Sequence, residues 1–155
     1  MRPTRLRDLV VAFLAAGIVA HLLVSLAYGS LPSFPGPAGA TLGVLGLAEA
    51  VAGQILKARV ERRPGSRPVD PLSAARAVLV AKASALGGAL VAGLWAGLLV
   101  YVLPRAGSVT AAASDTTAAL VGLVCALVLV GGALWLERSC RTPDDPGDER
   151  GVRDE

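Results

Sequence analysis

Four stretches of this chain, residues 9–28, 38–56, 77–103 and 116–136, are apolar almost without interruption. A hydrocarbon core about 30 Å thick is crossed by about 20 helical residues, and each stretch is of that order or longer. Lipid supplies no hydrogen-bond partners, so a backbone inside it must bond to itself, which makes each run a helix. The apolar positions fall in blocks, without the three-and-four spacing of a soluble amphipathic helix. Hydrophobic residues make up 54% of the chain and charged residues 17%, against roughly 25% charged in soluble domains. Aromatic residues reach only 4%, whereas a soluble core leans on such side chains to bury area. The expected fold is all-α: an integral membrane bundle of four transmembrane helices.

The breaks between runs support four separate spans. Pro32, Pro35 and Pro37 cannot continue a helix, and Pro64, Gly65 and Pro68 break the chain again. Asp70 followed by Pro71 reads as an N-cap with proline at the first helical position, about two turns before the third apolar run. Ser114 or Asp115 is expected to cap the fourth helix, with Pro143 beyond its end.

Basic residues set the threading. Arg2, Arg5 and Arg7 precede the first run, Lys57, Arg59, Arg62, Arg63, Arg67 and Arg76 lie between the second and third, and Arg138 and Arg141 follow the fourth. The other two connections hold only Arg105. Loops rich in Lys and Arg stay in the cytoplasm, so eleven cations against one predict an N-in/C-in protein of the cell (inner or plasma) membrane. A competing reading takes the first run, ending at Ala27-Tyr28-Gly29, as a cleavable signal peptide. The run exceeds the usual signal core, and cleavage would leave three spans with unbalanced charge. Residues 1–8 form a basic cytoplasmic terminus and residues 57–76 a basic cytoplasmic loop. The tail, residues 141–155, has six acidic and two basic residues from position 144 on. It is expected to be disordered.

Small residues recur at helical spacing. Gly39, Gly43, Gly46, Ala50 and Gly53 form one stripe on the second helix, within about 80° of arc. Gly93 and Gly97, with Ala89 a turn earlier, do so on the third, and Ala118, Gly122 and Ala126 on the fourth. Such stripes let helix backbones approach closely in lipid; the alternative is that they line a substrate path.

Three polar side chains stand out within the runs: His21, Glu49 and Lys82. An unpaired charge in hydrocarbon costs about 3 kcal/mol or more. Glu49 and Lys82 fall at similar depths on consecutive antiparallel helices, which predicts an ion pair inside the bundle. The alternative has Lys82 reaching to the headgroups and Glu49 buried as the neutral acid. His21 shares a face with Gly17, Ser25 and Tyr28. It reads as a lone histidine hydrogen-bonded between helices, with a proton relay as the sharper alternative.

Positive enzymatic signals are missing. No phosphate-binding glycine loop, dinucleotide fingerprint, Ser-His-Asp set, HExxH or CxxC spacing occurs, so no catalytic, cofactor-binding or metal residues are expected and no enzymatic activity. Cys125 and Cys140 lie about 22 Å apart on a continuous helix, too far for a disulfide. A net charge of +3 does not imply a nucleic-acid partner. The partners expected are the lipid bilayer, anionic lipid through Arg59, Arg62, Arg63 and Arg67, and a second copy or another membrane protein.

Three segments carry a resemblance: Arg2-Pro3-Thr4-Arg5-Leu6-Arg7-Asp8, Ala48-Glu49-Ala50, and the most specific, Arg67-Pro68-Val69-Asp70-Pro71-Leu72 with Ala74-Ala75-Arg76-Ala77 and Ala81-Lys82-Ala83-Ser84. The chain, over roughly residues 2–140, resembles the uncharacterised actinobacterial membrane family catalogued as domain of unknown function 3180. That resemblance implies a four-helix inner-membrane protein, often encoded beside folate-biosynthesis genes, with no established activity and no catalytic residues to carry over. Glu49 and Lys82 fall within the matching motifs. The leading functional expectation is a small non-enzymatic membrane protein acting through helix–helix contacts, as an oligomer or accessory subunit. The alternative is a small transporter or channel component using Glu49, Lys82 and His21.

Overall fold

The structure, a computed structural model, describes residues 5–27, 39–60, 71–107 and 110–140. The described residues form four α-helices: α1 Leu6–Ala27, α2 Ala40–Val60, α3 Pro71–Val102 and α4 Thr110–Ser139. No strand occurs among the described residues. All four helices are long and apolar enough to cross a membrane. The tail from residue 141, Tyr28, Asp70, and Arg62, Arg63 and Arg67 of the basic loop lie outside the described residues, as does the Arg59 side chain.

Local chemistry explains the helix ends. Asp8 sits in the first turn of α1, where a carboxylate complements the positive end of the helix dipole. Gly39 leads into α2 at φ +88°, a left-handed conformation that strains any side chain, and its carbonyl accepts the Leu42 N–H at 3.0 Å. α3 starts at Pro71 and gives way to a 3-10 turn, Leu103–Arg105, around Pro104, which has no N–H to continue the α pattern. α4 starts six residues before the apolar run, so Ser114 and Asp115 lie inside the helix and neither caps it. Ala111, Ala112 and Ala113 extend the helix upstream because alanine has the strongest helix propensity.

The helices form an open row in the order α1, α3, α4, α2. Contact positions give the directions. Phe13 and Gly17 of α1 meet Gly93 and Gly97 of α3, so those two helices run parallel. Gly43, Gly46 and Gly53 of α2 meet Cys125, Leu129 and Leu136 of α4, a second parallel pair. Gly88 of α3 meets Val130 of α4 while Trp95 meets Gly122, so the two pairs join through an antiparallel α3–α4 contact. The inner helices are the better covered: 39% of the apolar window of α3 and of α4 is buried, against 17% of α1 and of α2.

The core is built largely of alanine. Ala81, Ala85, Ala92, Ala112, Ala118, Ala119, Ala126 and Ala133 are fully buried, and Val102 is the one large side chain buried as completely among the described residues. Val24, Leu98, Val102, Ala112 and Ala119 pack together towards one end of the bundle, and Leu9, Ala85, Ala89 and Ala133 towards the other. Small side chains bring helix axes close, so dispersion between backbones replaces the interlocking of large residues. Most of the larger aliphatic side chains point outward instead: Val11, Ile18, Leu23, Val44, Leu47, Val51, Leu79 and Val124 are all exposed.

Candidate functional site

The seven glycines singled out for packing sit at helix crossings. A Cβ at Gly46 would lie 2.6 Å from the Leu129 Cα, one at Gly43 3.0 Å from the Cys125 Sγ, and one at Gly53 2.7 Å from the Trp135 ring. A Cβ at Gly39 would lie 3.0 Å from the Gly122 Cα, and one at Gly122 would run into the Trp95 indole. On α3, a Cβ at Gly93 would strike the Phe13 carbonyl and one at Gly97 the Gly17 carbonyl. These glycines mediate contacts within the chain: α2 spends its stripe on α4, and α3 spends its pair on α1.

The two parallel pairs are built alike. A Cβ at Gly97 would meet the Gly17 carbonyl oxygen, and one at Gly132 the Gly46 carbonyl oxygen. In each pair the outer helix turns a glycine carbonyl towards a glycine of the inner helix, the arrangement of a weak Cα–H···O contact. His21 follows Gly17 by four residues and Glu49 follows Gly46 by three. The pairs run in opposite directions, so similar crossings carry a histidine in one and a carboxylic acid in the other.

These two residues hold the buried polar atoms that lack hydrogen-bond partners among the described residues: Nδ1 of His21 and both carboxyl oxygens of Glu49. The His21 ring instead stands edge-on to Tyr101, with centroids 6.2 Å apart and planes at 65°. It lines a shallow apolar groove of about 320 Å³ with Phe13, Gly17, Ala96 and Val100. The expected hydrogen bond between helices is therefore replaced at Nδ1 by ring packing. The Arg105 guanidinium lies over the other partner of that contact, 3.9 Å from the Tyr101 centroid, and donates to the Tyr101 carbonyl at 2.7 Å.

Glu49 is 6% exposed and stands midway along the apolar part of α2, Ala40–Ala58, about 13 Å from either end. With both of its oxygens unpartnered, the Glu49–Lys82 ion pair expected from sequence is absent. The row explains why: α2 packs on α4, and α3 lies across α4 from it. Register adds a second reason. The α2–α4 contacts put Glu49 level with Gly132, whereas the α3–α4 contacts put half-buried Lys82 level with Leu136 and Glu137, about a turn further on. The sequence reading assumed that consecutive helices are neighbours.

Structure also brings forward residues that hydropathy passed over. Asp115 and Glu137 are 4% exposed although each abuts an apolar run, where a charge normally reads as a solvated boundary. Trp95, in the C-terminal half of α3, fills the junction with Gly39 and Gly122. Lys57 holds its amine 5.5 Å from the Trp135 ring at the end of α2. Burial pushes the Cys140 thiol, just past α4, above the ordinary cysteine range.

The family described as "Protein of unknown function (DUF3180)" matches residues 9–144. No curated protein and no solved structure matches the chain. That match takes in α1 to α4 from Leu9 onward, and with it both orphaned polar groups.

Proposed function

The chain belongs to the DUF3180 family, and from that premise we propose that it is a small multipass membrane protein, without chemistry of its own, that works by helix–helix contact with a membrane partner. The open row carries this reading. α1 and α2 are each packed along one face and present their remaining surface outward, as helices that lean on another protein would. Because the glycine stripes are spent inside the chain, the partner-facing surface consists of aliphatic side chains of the edge helices, among them Leu14, Ile18 and Leu22 of α1 and Val44, Leu47 and Val51 of α2. Lipid covers whatever the partner leaves free. The partner is another membrane subunit or a second copy of the chain.

Photoreactive residues at Ile18 and Val51 test this in native membranes. Discrete crosslinked products are the expected result; adducts with lipid alone from both edges would contradict it. The proposed threading has both ends in the cytoplasm of a cell-membrane protein, with Arg5, Arg7, Lys57, Arg76 and Arg138 at that end of the bundle. A reporter fused after residue 155 is expected to be active only in the cytoplasm. Contact with anionic lipid headgroups through the same basic end is part of the proposal. The transport reading has weaker support: His21 belongs to the α1–α3 pair and Glu49 to the α2–α4 pair, so the polar groups do not line up along one path.

A further inference from the structure

We propose that a groove between α1 and α3 is a binding site for one anionic phospholipid, with its phosphate on Arg105 and an acyl chain lying along the two helices. The groove holds about 510 Å³, within the range of built ligand sites, about 300–1,000 Å³. Ala20, Val24 and Ala27 of α1 and Val91, Trp95 and Leu98 of α3 are among its walls, which carry no charged side chain. The neighbouring seam explains the space. Gly93 and Gly97 draw α1 onto α3, and the alanines at 20 and 27 are too short to fill the flank of that crossing. An open apolar groove at membrane depth suits a hydrocarbon chain, because a polar occupant would give up its hydrogen bonds there. At 100° per residue, Ala20 and Ala27 lie roughly opposite Ile18 and Leu22 around α1. The site therefore leaves the edge proposed for a protein partner free, and does not rest on that proposal.

Charge at the mouth decides which lipid. Val91, Leu98 and Arg105 are spaced by about two turns each, so they share one face of α3 and its closing turn. Gly97 meets Gly17 and Ala20 in the parallel α1, which brings Ala27 level with Arg105. Both walls thus reach the guanidinium. That group is exposed, yet it is held in place over the Tyr101 ring at 3.9 Å and by its bond to the Tyr101 carbonyl at 2.7 Å. A guanidinium fork matches phosphate oxygens, and a fork already positioned loses less freedom on binding. The two connections at this end hold no other Lys or Arg, and Asp115, the acidic residue nearest in sequence, is buried in α4. The lengths agree as well. Val91 stands at the midpoint of the apolar span Ala75–Arg105, and Arg105 lies about 21 Å beyond it. Half a bilayer, headgroups included, is about 20–22 Å. Groove and cation together therefore match one lipid from bilayer centre to phosphate. A zwitterionic lipid brings its own ammonium to that phosphate, so the guanidinium favours a lipid with net negative charge.

Trp95 is the reporter, since its indole forms part of the groove wall. Trp135→Phe leaves it the only tryptophan of the full-length chain. That protein is reconstituted in vesicles of equal parts phosphatidylglycerol and phosphatidylcholine, with one or the other lipid brominated at mid-chain. Bromine quenches an indole in contact with it. Trp95 lies about 6 Å from the bilayer centre on the Arg105 side, level with the middle of a chain whose phosphate is on Arg105. Brominated phosphatidylglycerol is expected to quench Trp95 more than brominated phosphatidylcholine, with a preference on the order of fivefold for one basic residue. Arg105→Gln, an exposed change, is expected to make the two lipids equal. Equal quenching with Arg105 present overturns the proposal, and so does a preference that survives Arg105→Gln. Quenching by neither lipid also overturns it, since the groove is then filled by protein, from a second copy or from another part of the chain.

Discussion

Glycine at a helix crossing and glycine on an open face respond oppositely to the same methyl group. At Gly46 a Cβ would meet the Cα and N of Leu129, 2.6 Å away, and backbone cannot rotate aside as a side chain can. Gly46→Ala is expected to lower stability by about 1–3 kcal/mol, the usual penalty of overpacking. Gly131 has nothing within 4 Å of its would-be Cβ. Gly131→Ala is expected to raise stability by about 0.5–1 kcal/mol through helix propensity alone. Thermal unfolding midpoints in one detergent check both; similar shifts for the two variants would contradict the assigned faces. Spacing made the stripe on α2 legible from sequence, because a repeat of four and three marks one face whatever lies opposite. It did not make legible what Glu49 meets. Angle around a helix says which residues share a face, and depth says how far down they lie, but neither says which of three other helices occupies that face.

Among the elements, the α3–α4 crossing is the most specific. Trp95 lies against Gly122, so the obstacle to a side chain at position 122 is one indole. Gly122→Ala is expected to destabilise the protein strongly with Trp95 present and much less in a Trp95→Leu background. A double-mutant cycle then yields a coupling on the order of 1 kcal/mol or more. Additive losses would place Trp95 elsewhere. Helix number and type were readable from the four apolar blocks because lipid leaves a chain so few options. The start of α4 was misread because Ser114 and Asp115 look like caps, yet three alanines before them extend the helix to Thr110. The burial of Asp115 and Glu137 was missed for a related reason: a charge beside an apolar run marks the end of the run, not the end of the helix.

For the molecule as a whole, the order α1, α3, α4, α2 is the claim on which the others rest. It leaves α1 and α2 at the edges, parts His21 from Glu49, and sets Lys82 across α4 from the carboxylate it was expected to neutralise. Sequence could not supply this order, because in lipid a face turned to protein and a face turned to solvent are both apolar. The clue that exists is size: small residues predominate on faces turned to a helix, and leucine and valine on faces turned outward. Parallel packing of α2 on α4 is the most exposed part of the claim, and one native side chain is already in position to test it. A Cβ at position 43 would lie 3.3 Å from the Cys125 Cβ, close to the Cβ separation of a disulfide, about 3.5–4.5 Å. With Gly43→Cys introduced and Cys140→Ser removing the other thiol, mild oxidation in native membranes is expected to give an intramolecular disulfide between positions 43 and 125. Free thiols throughout, or disulfide-linked dimers in place of the intramolecular bond, would contradict the row.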